Sequence, residues 1–332
     1  MAIGEGHNKL KEYNYKIRLY SDCYAEKWDD FVLNYAANGN VFQTRAFLSY
    51  HSPKSFEDAS ILLEESNRIV AVVAANKTSS GFFSHEGTSC GGPVIGNQHC
   101  GVRATSAIVD LVGSYYEEKL SMRVCENTLG GPVNELIVFL LSKNYVIQPE
   151  VSAYKHLGEM EDFVDSIPHK KSRSATRKCL RNGFIVKQTD RDVDYQDFHK
   201  LLVDNLATQH EVKPTHTIDE LLKLRNILKH RQKLVAGKNA EGHLCAAVWL
   251  IKATNECWHV QYIARDHTRN VACAVEATLC GAMEVVRDLG AKHLNLGICT
   301  EKGGTVLNTG LLRFKESLGC VHHNRYLLTP KP

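Results

Sequence analysis

The chain has 332 residues, of which 43% are hydrophobic and 23% charged, with a formal net charge of +3. That length exceeds what one hydrophobic core ordinarily holds, so two domains are expected, 1–158 and 159–332. The composition is that of a globular enzyme, and the charge is too small to argue for a nucleic-acid protein.

Residues 1–12 read as a polar leader. The runs 61–64 and 69–75 are apolar and β-branched, and Glu65-Ser-Asn-Arg68 between them predicts a hairpin. Gly87-Thr-Ser-Cys-Gly-Gly-Pro93 is a loop that needs permissive backbone. Thr105 or Ser106 is a candidate cap for a helix on which Ile108, Val109, Leu111, Val112, Tyr115 and Tyr116 recur at helical period. A second helix is expected from 136 to about 144, then a strand over 151–157. Two polar, charged helices follow Met160. Thr217-Ile-Asp-Glu220 is a capping box that opens another helix. Strands are expected over 233–237, 243–251 and 257–264. Val275, Leu279, Ala282, Met283, Val286 and Leu289 then mark an amphipathic helix. A strand at 294–298, a Gly303-Gly304 turn and a short basic helix opened by Asn308 and ended at Gly319 complete the chain. Both halves therefore order a strand hairpin, a loop and an amphipathic helix.

Several segments carry residues with chemistry. In 265–274, free N–H groups at a helix start beside Arg265 and Arg269 can hold a pyrophosphate. On 257–264, strict alternation sends Trp258, Val260, Tyr262 and Ala264 to one face and His259, Gln261 and Ile263 to the other. The glycine-rich loop 82–93 gathers Ser84, His85, Thr88 and Ser89, candidates for lining a sugar or phosphate pocket, with Tyr154 and His156 as neighbours. His210 and His216, in His210-Glu-Val-Lys-Pro-Thr-His216, are candidate proton acceptors, because an imidazole titrates near neutrality. The basic run 169–183 sets Arg173, Arg177, Lys178 and Arg181 near helical spacing; such a stripe binds phosphate or simply faces solvent. The eleven cysteines form no Cys-x-x-Cys, and no His-Glu-x-x-His occurs, so no metal site is expected. Scattered thiols suit a reducing cytoplasm. No secretory leader and no bilayer-spanning run are read in the chain.

In their order these segments resemble the Fem-like branch of the GNAT N-acetyltransferase superfamily. The likeness runs over residues 40–328. It rests on Phe314-Lys-x-x-x-Gly319, on Ser84-His-Glu-Gly-x-x-x-Gly-Gly92, on Pro214-Thr-His216 and on Arg173-x-x-x-Arg177-Lys178. It implies an α/β protein of two tandem acetyltransferase-like folds, each a mixed twisted sheet flanked by helices. It also implies acyl-CoA held by Gln261, Tyr262, Ile263, Arg265, Arg269, Asn270, Val271, Ala272 and Asn308. His210, His216, His259 and Lys315 become catalytic candidates, and Ser84, His85, Thr88, Ser89, Tyr154, Arg177 and Arg181 acceptor-binding ones. Lys315 stands seven positions after Asn308, where the common acetyltransferase pattern has a tyrosine acid; charge stabilisation is the role a lysine offers there.

The activity implied is transfer of an acyl group from acyl-CoA to the amine of a nucleotide-linked amino sugar, by direct attack, in surface polysaccharide synthesis. Cys90, Cys273 and Cys299 lack an evident base partner for a covalent route. Activity is expected to fall below neutrality as the amine and a histidine protonate. Two alternatives stay open. One is a Fem-type peptidoglycan aminoacyltransferase that draws on charged tRNA, the only reading with a nucleic-acid partner. The other is a non-catalytic nucleotide-sugar-binding module, favoured by Lys315 and by the absence of glycine from 265–274.

Overall fold

The computed structural model describes residues 13–331 apart from 53–54, 126–135, 138–139, 141, 144, 160–161 and 211–215. In the first half, β1 (Lys16–Leu19), β2 (Ile61–Glu65) and β3 (Arg68–Val73) run antiparallel, and β3 also pairs with β6 (Val94–Ile95). Ser66 and Asn67 turn the β2–β3 hairpin with φ of 50° and 62°. Two successive left-handed residues give the turn whose twist suits a tight hairpin. The hairpin β4 (Asn76–Thr78) and β5 (Gly81–Phe83) joins β7 (Leu120–Cys125) instead. Before it, α1 (Ala25–Asp30) and α2 (Arg45–Leu48) cover one side. Helix α3 (Val102–Tyr115) starts after Gly101 with no side-chain cap. Thr105, a proposed cap, is buried inside it and donates to the His99 carbonyl. Of the helix expected over 136–144, residues 136, 137, 140 and 142 are helical.

The second half supplies α4 (Lys170–Arg181), β9 (Ile185–Thr189), α5 (Asp192–His210), α6 (Ile218–Leu228), β10 (Gln232–Lys238), β11 (Leu244–Lys252) and β12 (Cys257–Arg265). Then come α7 (Ala274–Asp288), β13 (His293–Ile298), the hairpin β14 (Thr300–Glu301) and β15 (Val306–Leu307), and α8 (Thr309–Ser317). The α6 capping box is present in both directions: the Glu220 N–H donates to Thr217 Oγ1 at 3.2 Å and the Thr217 N–H to Glu220 Oε2 at 2.9 Å.

The long strands β8 (Tyr145–His156) and β16 (Val321–Pro330) join the halves. One sheet runs β4-β5-β7-β16-β8-β13-β12-β11-β10-β9. Thus β8, which ends the first half, lies against β13, and β16, which ends the second, lies against β7. The halves exchange their last strands, so the sequence boundary at 158/159 is not a boundary in the sheet. The β5–β7 and β12–β13 pairs are parallel, each spanned by a helix, α3 or α7. The mixed α/β class is as expected. The sequence reading did not predict β1, β4 to β7, β9 or β14 to β16: most of these are short, β9 is exposed at the sheet edge, and β16 runs, after Val321, through four consecutive polar residues, His322 to Arg325.

Three large apolar clusters hold this frame. One lies under α3, and another packs α7 on Leu294, Leu296, Trp258 and Val260. The third merges the halves: Trp28, Phe42, Phe47 and Tyr50 pack with Phe198, Leu221, Leu224 and Trp249. Burial of this much aromatic surface is the main force holding the halves together.

Candidate active site

The parallel strands β12 and β13 are in register at only three positions: Cys257 with His293, Trp258 with Leu294, and His259 with Asn295. Beyond these they part, and each carries an extra residue near that point. On β12, Val260 faces Leu250 while Tyr262 faces Trp249, so Gln261 is a bulge. On β13, Asn295 faces Tyr154 while Ile298 faces Ser152; Gly297 takes φ +79° there and donates its N–H to Asn295 Oδ1 at 2.8 Å. A bulge bends its strand away from its neighbour. Two of them on facing strands open a gap in the sheet.

The bulge also corrects the alternation read from the sequence. Trp258, Val260 and Ile263 pack in the α7 cluster, whereas Tyr262 and Ala264 pack with Trp249 on the other side. One inserted residue inverts every side chain after it, so Tyr262 shares the His259 face and Ile263 does not. The Gln261 side-chain oxygen is buried with no hydrogen-bond partner among the described residues.

His259 ends the paired stretch. Its Nδ1 lies 3.0 Å from Asn295 Oδ1, and Asn295 Nδ2 lies 2.9 Å from His323 Nε2 on β16. Phe42 of the first half meets the His259 ring edge to face at 5.5 Å. Burial pushes the His259 pKa down to about 4, and the nearby Arg325 and Lys315 charges push the same way. The imidazole is therefore neutral near pH 7.

Lys315 is not on a solvated face. It is 3% exposed, and its Nζ donates to the carbonyls of Gly297 at 2.8 Å and Ile298 at 2.9 Å, with the Cys299 thiol beside it. Its ammonium thus closes the end of β13 at the gap. Desolvation lowers its pKa. Asn308 caps α8, its side-chain oxygen accepting the Leu311 N–H at 2.9 Å. Gly319, with φ +73°, ends the helix where Lys155 Nζ reaches the carbonyls of Leu318 (3.0 Å) and Gly319 (3.2 Å). The positive φ, with the Ser166 carbonyl only 2.9 Å from where a Cβ would stand, explains the glycine of the Phe-Lys-x-x-x-Gly signature.

His216 is 3% exposed. Its Nδ1 lies 2.6 Å from the Tyr262 hydroxyl, its carbonyl accepts from His199 Nε2 at 3.1 Å, and Tyr50 and Trp249 flank its ring. Its Nε2 is buried with no hydrogen-bond partner among the described residues. Burial pushes its pKa to about 4. His210 closes α5, and its side chain, with residues 211–215 of the same motif, lies outside the described residues.

The loop 84–93 reaches this group through His51, whose ring lies 3.9 Å from that of Tyr50 and 6.0 Å from that of His85. His85 is buried, with φ +59° and a pKa pushed to about 4 by burial. Ser84 is buried, its hydroxyl without a hydrogen-bond partner among the described residues; Thr88 is buried and its hydroxyl bonds the Cys90 backbone. The Ser89 carbonyl accepts from Arg325 Nη1 at 3.0 Å. The glycines were expected to admit a ligand. Instead they admit the protein: a Cβ on Gly87 would run into the His51 ring, one on Gly91 into Ser84, and Gly91 and Gly92 are buried.

In the loop after β12, Asp266 Oδ1 accepts the N–H groups of Thr268 (2.8 Å) and Arg269 (3.2 Å), and its other oxygen pairs with Arg269 Nε at 2.9 Å. Asn270 and Cys273 adopt positive φ of 43° and 60° without being glycine. Asn270, Val271 and Ala272 thus stand at the start of α7, while Arg269 would have to leave Asp266 to meet a diphosphate. Arg265 has its backbone tied to Asn205. The parted strands suit a thioester better than this loop suits a diphosphate.

Arg177 pairs with Asp165, and Arg173 bonds the carbonyls of Asp165 and Ile167, so both pin α4 to the preceding turn. Arg181 is exposed at the end of α4. Tyr154 stands opposite Asn295, with the rings of His156, His293 and His323 5.2 to 5.6 Å away. Sequence reasoning missed Asn295, His323, Arg123, Glu150 and Arg325. They share a sheet face only because β8 and β16 are exchanged, and no local pattern signals that.

Among the described residues no group of three His, Cys, Asp or Glu is placed to hold a metal, and no helix is long and apolar enough to cross a membrane. A cavity of about 380 Å³ lined by Arg225, Lys229, His230 and Lys233 lies on the outer β9–β10 edge, away from the gap.

No family model and no curated protein matches the chain. Solved structures do. FemX aligns over 94% of this chain and 96% of its own with a TM-score of 0.68 at 13% identity. A conserved protein of unknown function from Bacteroides thetaiotaomicron aligns over 95% and 99% with a TM-score of 0.61 at 12% identity. A tandem GNAT protein from the clavulanic acid biosynthesis pathway aligns over 95% and 97% with a TM-score of 0.52 at 10% identity. These likenesses establish the fold, a tandem GNAT-like architecture spanning nearly the whole chain.

Proposed function

We propose that the protein is an N-acyltransferase that moves an acyl group from acyl-CoA to the amine of a nucleotide-linked amino sugar. The observation that carries this reading is the gap between β12 and β13, with a bulge on each side and the Lys315 ammonium at its edge. Backbone N–H groups freed where strands part can receive the oxygen of a thioester carbonyl as charge develops on it. Acyl-CoA supplies the activated carbonyl; the chain supplies position, charge and a proton acceptor.

A neutral acceptor amine attacks that carbonyl. The C–N bond forms, the C–S bond breaks, and the amine proton passes to a neutral imidazole. His216 fits this role through its unpartnered Nε2, and Tyr262 holds the other ring nitrogen. Lys315 acts as a fixed charge beside the departing thiolate, since its N–H groups are committed to carbonyls and to Cys299. No acyl-enzyme is invoked: Cys299 is wholly buried, and Cys273 has a thiol pKa raised by burial. The test is thiol release from several acyl-CoAs with a panel of nucleotide-linked amino sugars. Turnover with one pairing is the expected result, and silence across the panel would sink the reading.

A second reading, a Fem-type aminoacyltransferase fed by charged tRNA, draws support from the TM-score with FemX and from Phe314-Lys315. Filter binding of charged tRNA beside calorimetry with acetyl-CoA separates the two.

A further inference from the structure

One carboxylate on the polar face of the sheet serves two guanidinium groups. Glu150 of β8 is 3% exposed and accepts from Arg325 Nε of β16 at 2.7 Å. Arg325 also donates Nη1 to the Ser89 carbonyl. Arg123 of β7 is the second cation, its Nε 4.0 Å from the same Glu150 oxygen, beyond hydrogen-bond reach. That Nε is buried and has no hydrogen-bond partner among the described residues. The Arg123 guanidinium carbon lies 5.0 Å over the Phe83 ring, and the side chain remains 29% exposed. Glu86, the other acid facing it, is held by the Asn76 amide at 2.8 Å. Desolvation and the Arg325 charge both lower the Arg123 pKa, as for a cation that lacks a full counter-ion.

Among the described residues no carboxylate meets Arg123 at contact distance; a half-buried guanidinium so placed is costly unless an anion arrives, and its planar fork matches an oxyanion. The place is informative. Arg325 and His323 lie on the same face of β16, and His323 leads through Asn295 to His259 at the gap. Across the sheet, three to four strand spacings separate Arg123 on β7 from the gap, on the order of 15 Å, and two to three separate Arg325 on β16 from it.

We propose that Arg123, backed by the Glu150–Arg325 pair, is an oxyanion-binding site that takes a phosphate group. The proposal rests on the reading that this face holds the acceptor. Arg123 is a binding residue, remote from the reacting atoms.

Calorimetry with inorganic pyrophosphate tests it on the full chain, with succinate as a carboxylate control. Pyrophosphate should bind the native protein. Arg123→Gln should weaken it about tenfold or more, as loss of a charge-assisted hydrogen bond does, and Arg123→Lys should weaken it less. Lys229→Ala with Lys233→Ala, in the basic cavity at the far edge, should leave binding unchanged. No binding to the native protein, equal binding to Arg123→Gln, loss in the lysine variant or a preference for succinate would each overturn the proposal. If Arg123→Gln does not fold by thermal melt, Arg123→Lys decides alone. The readout needs no catalysis. A chain that binds pyrophosphate through Arg123 yet turns over no thioester would refute acyl transfer and keep the site, whereas turnover without pyrophosphate binding would do the reverse.

Discussion

Lys315 and the buried histidines are where single side chains decide the chemistry. Lys315→Met removes the charge at the gap and releases the Gly297 and Ile298 carbonyls. Thiol release should fall roughly a hundredfold, the loss typical of one preorganised charge-stabilising donor. Lys315→Arg should not restore it, because a guanidinium fork does not fit a site built around a point charge. Proton chemistry is set by desolvation. Burial pushes the pKa of His85, His216 and His259 to about 4, against about 6.5 for an ordinary imidazole. Unfolded chains bind more protons than folded ones between those values, so these groups contribute stability at neutral pH that drains away as pH falls from about 6.5 toward 4. Denaturant midpoints measured across that window should drop steeply, and His259→Gln should flatten the slope. The same shift revises the expected rate profile. A base with pKa near 4 stays available at mildly acidic pH, so the fall in kcat/KM below neutrality should track the acceptor amine alone. A second ionisation near 6.5 would count against His216.

Elements matter here through irregularities. Gly297 lies in the left-handed region on the β13 bulge, and its carbonyl anchors Lys315. Gly297→Ala should cost about 1–2 kcal/mol by thermal or chemical unfolding, the price of φ > 0 for a residue with a Cβ. It should also slow turnover by shifting the anchor. Helix α6 shows the opposite case, a regular motif doing a precise job. Its Thr217 cap directly follows His216, so the capping box fixes the backbone on which the imidazole hangs. Thr217→Ala should destabilise by about 1 kcal/mol and raise the acceptor KM or lower kcat beyond what that loss explains. The cap was legible as Thr217-x-x-Glu220 in the chain, because capping is satisfied within four residues. The Gln261 bulge was not: strict alternation predicted the wrong face for Tyr262, since a bulge depends on how the neighbouring strand pairs.

At the scale of the whole molecule, the exchange of β8 and β16 makes the two halves one cooperative body. Separate expression of 1–158 and 159–332 should yield chains that lack a cooperative melt, because each leaves a long strand unpaired and exposes the shared aromatic cluster. Co-expression should restore folding, as read by circular dichroism and gel filtration. Two halves that melt cooperatively alone would show that the exchanged strands are dispensable.

The amino-acid sequence alone determined the class of fold, the hairpin, the amphipathic α7, the caps of α6 and α8, and the positions of Lys315 and His216 as residues worth following. All of these are written in spacings of a few residues, where local sterics and hydrogen bonding act. Only the tertiary structure decided that Lys315 is buried at a strand end, that Arg177 faces a turn, that Gly91 packs against Ser84, and that Arg123, Glu150 and Arg325 meet. Those facts depend on contacts as far as 236 residues apart, such as Arg325 on the Ser89 carbonyl. Burial and pairing across the exchanged strands set them, and neither leaves a periodic trace in the chain.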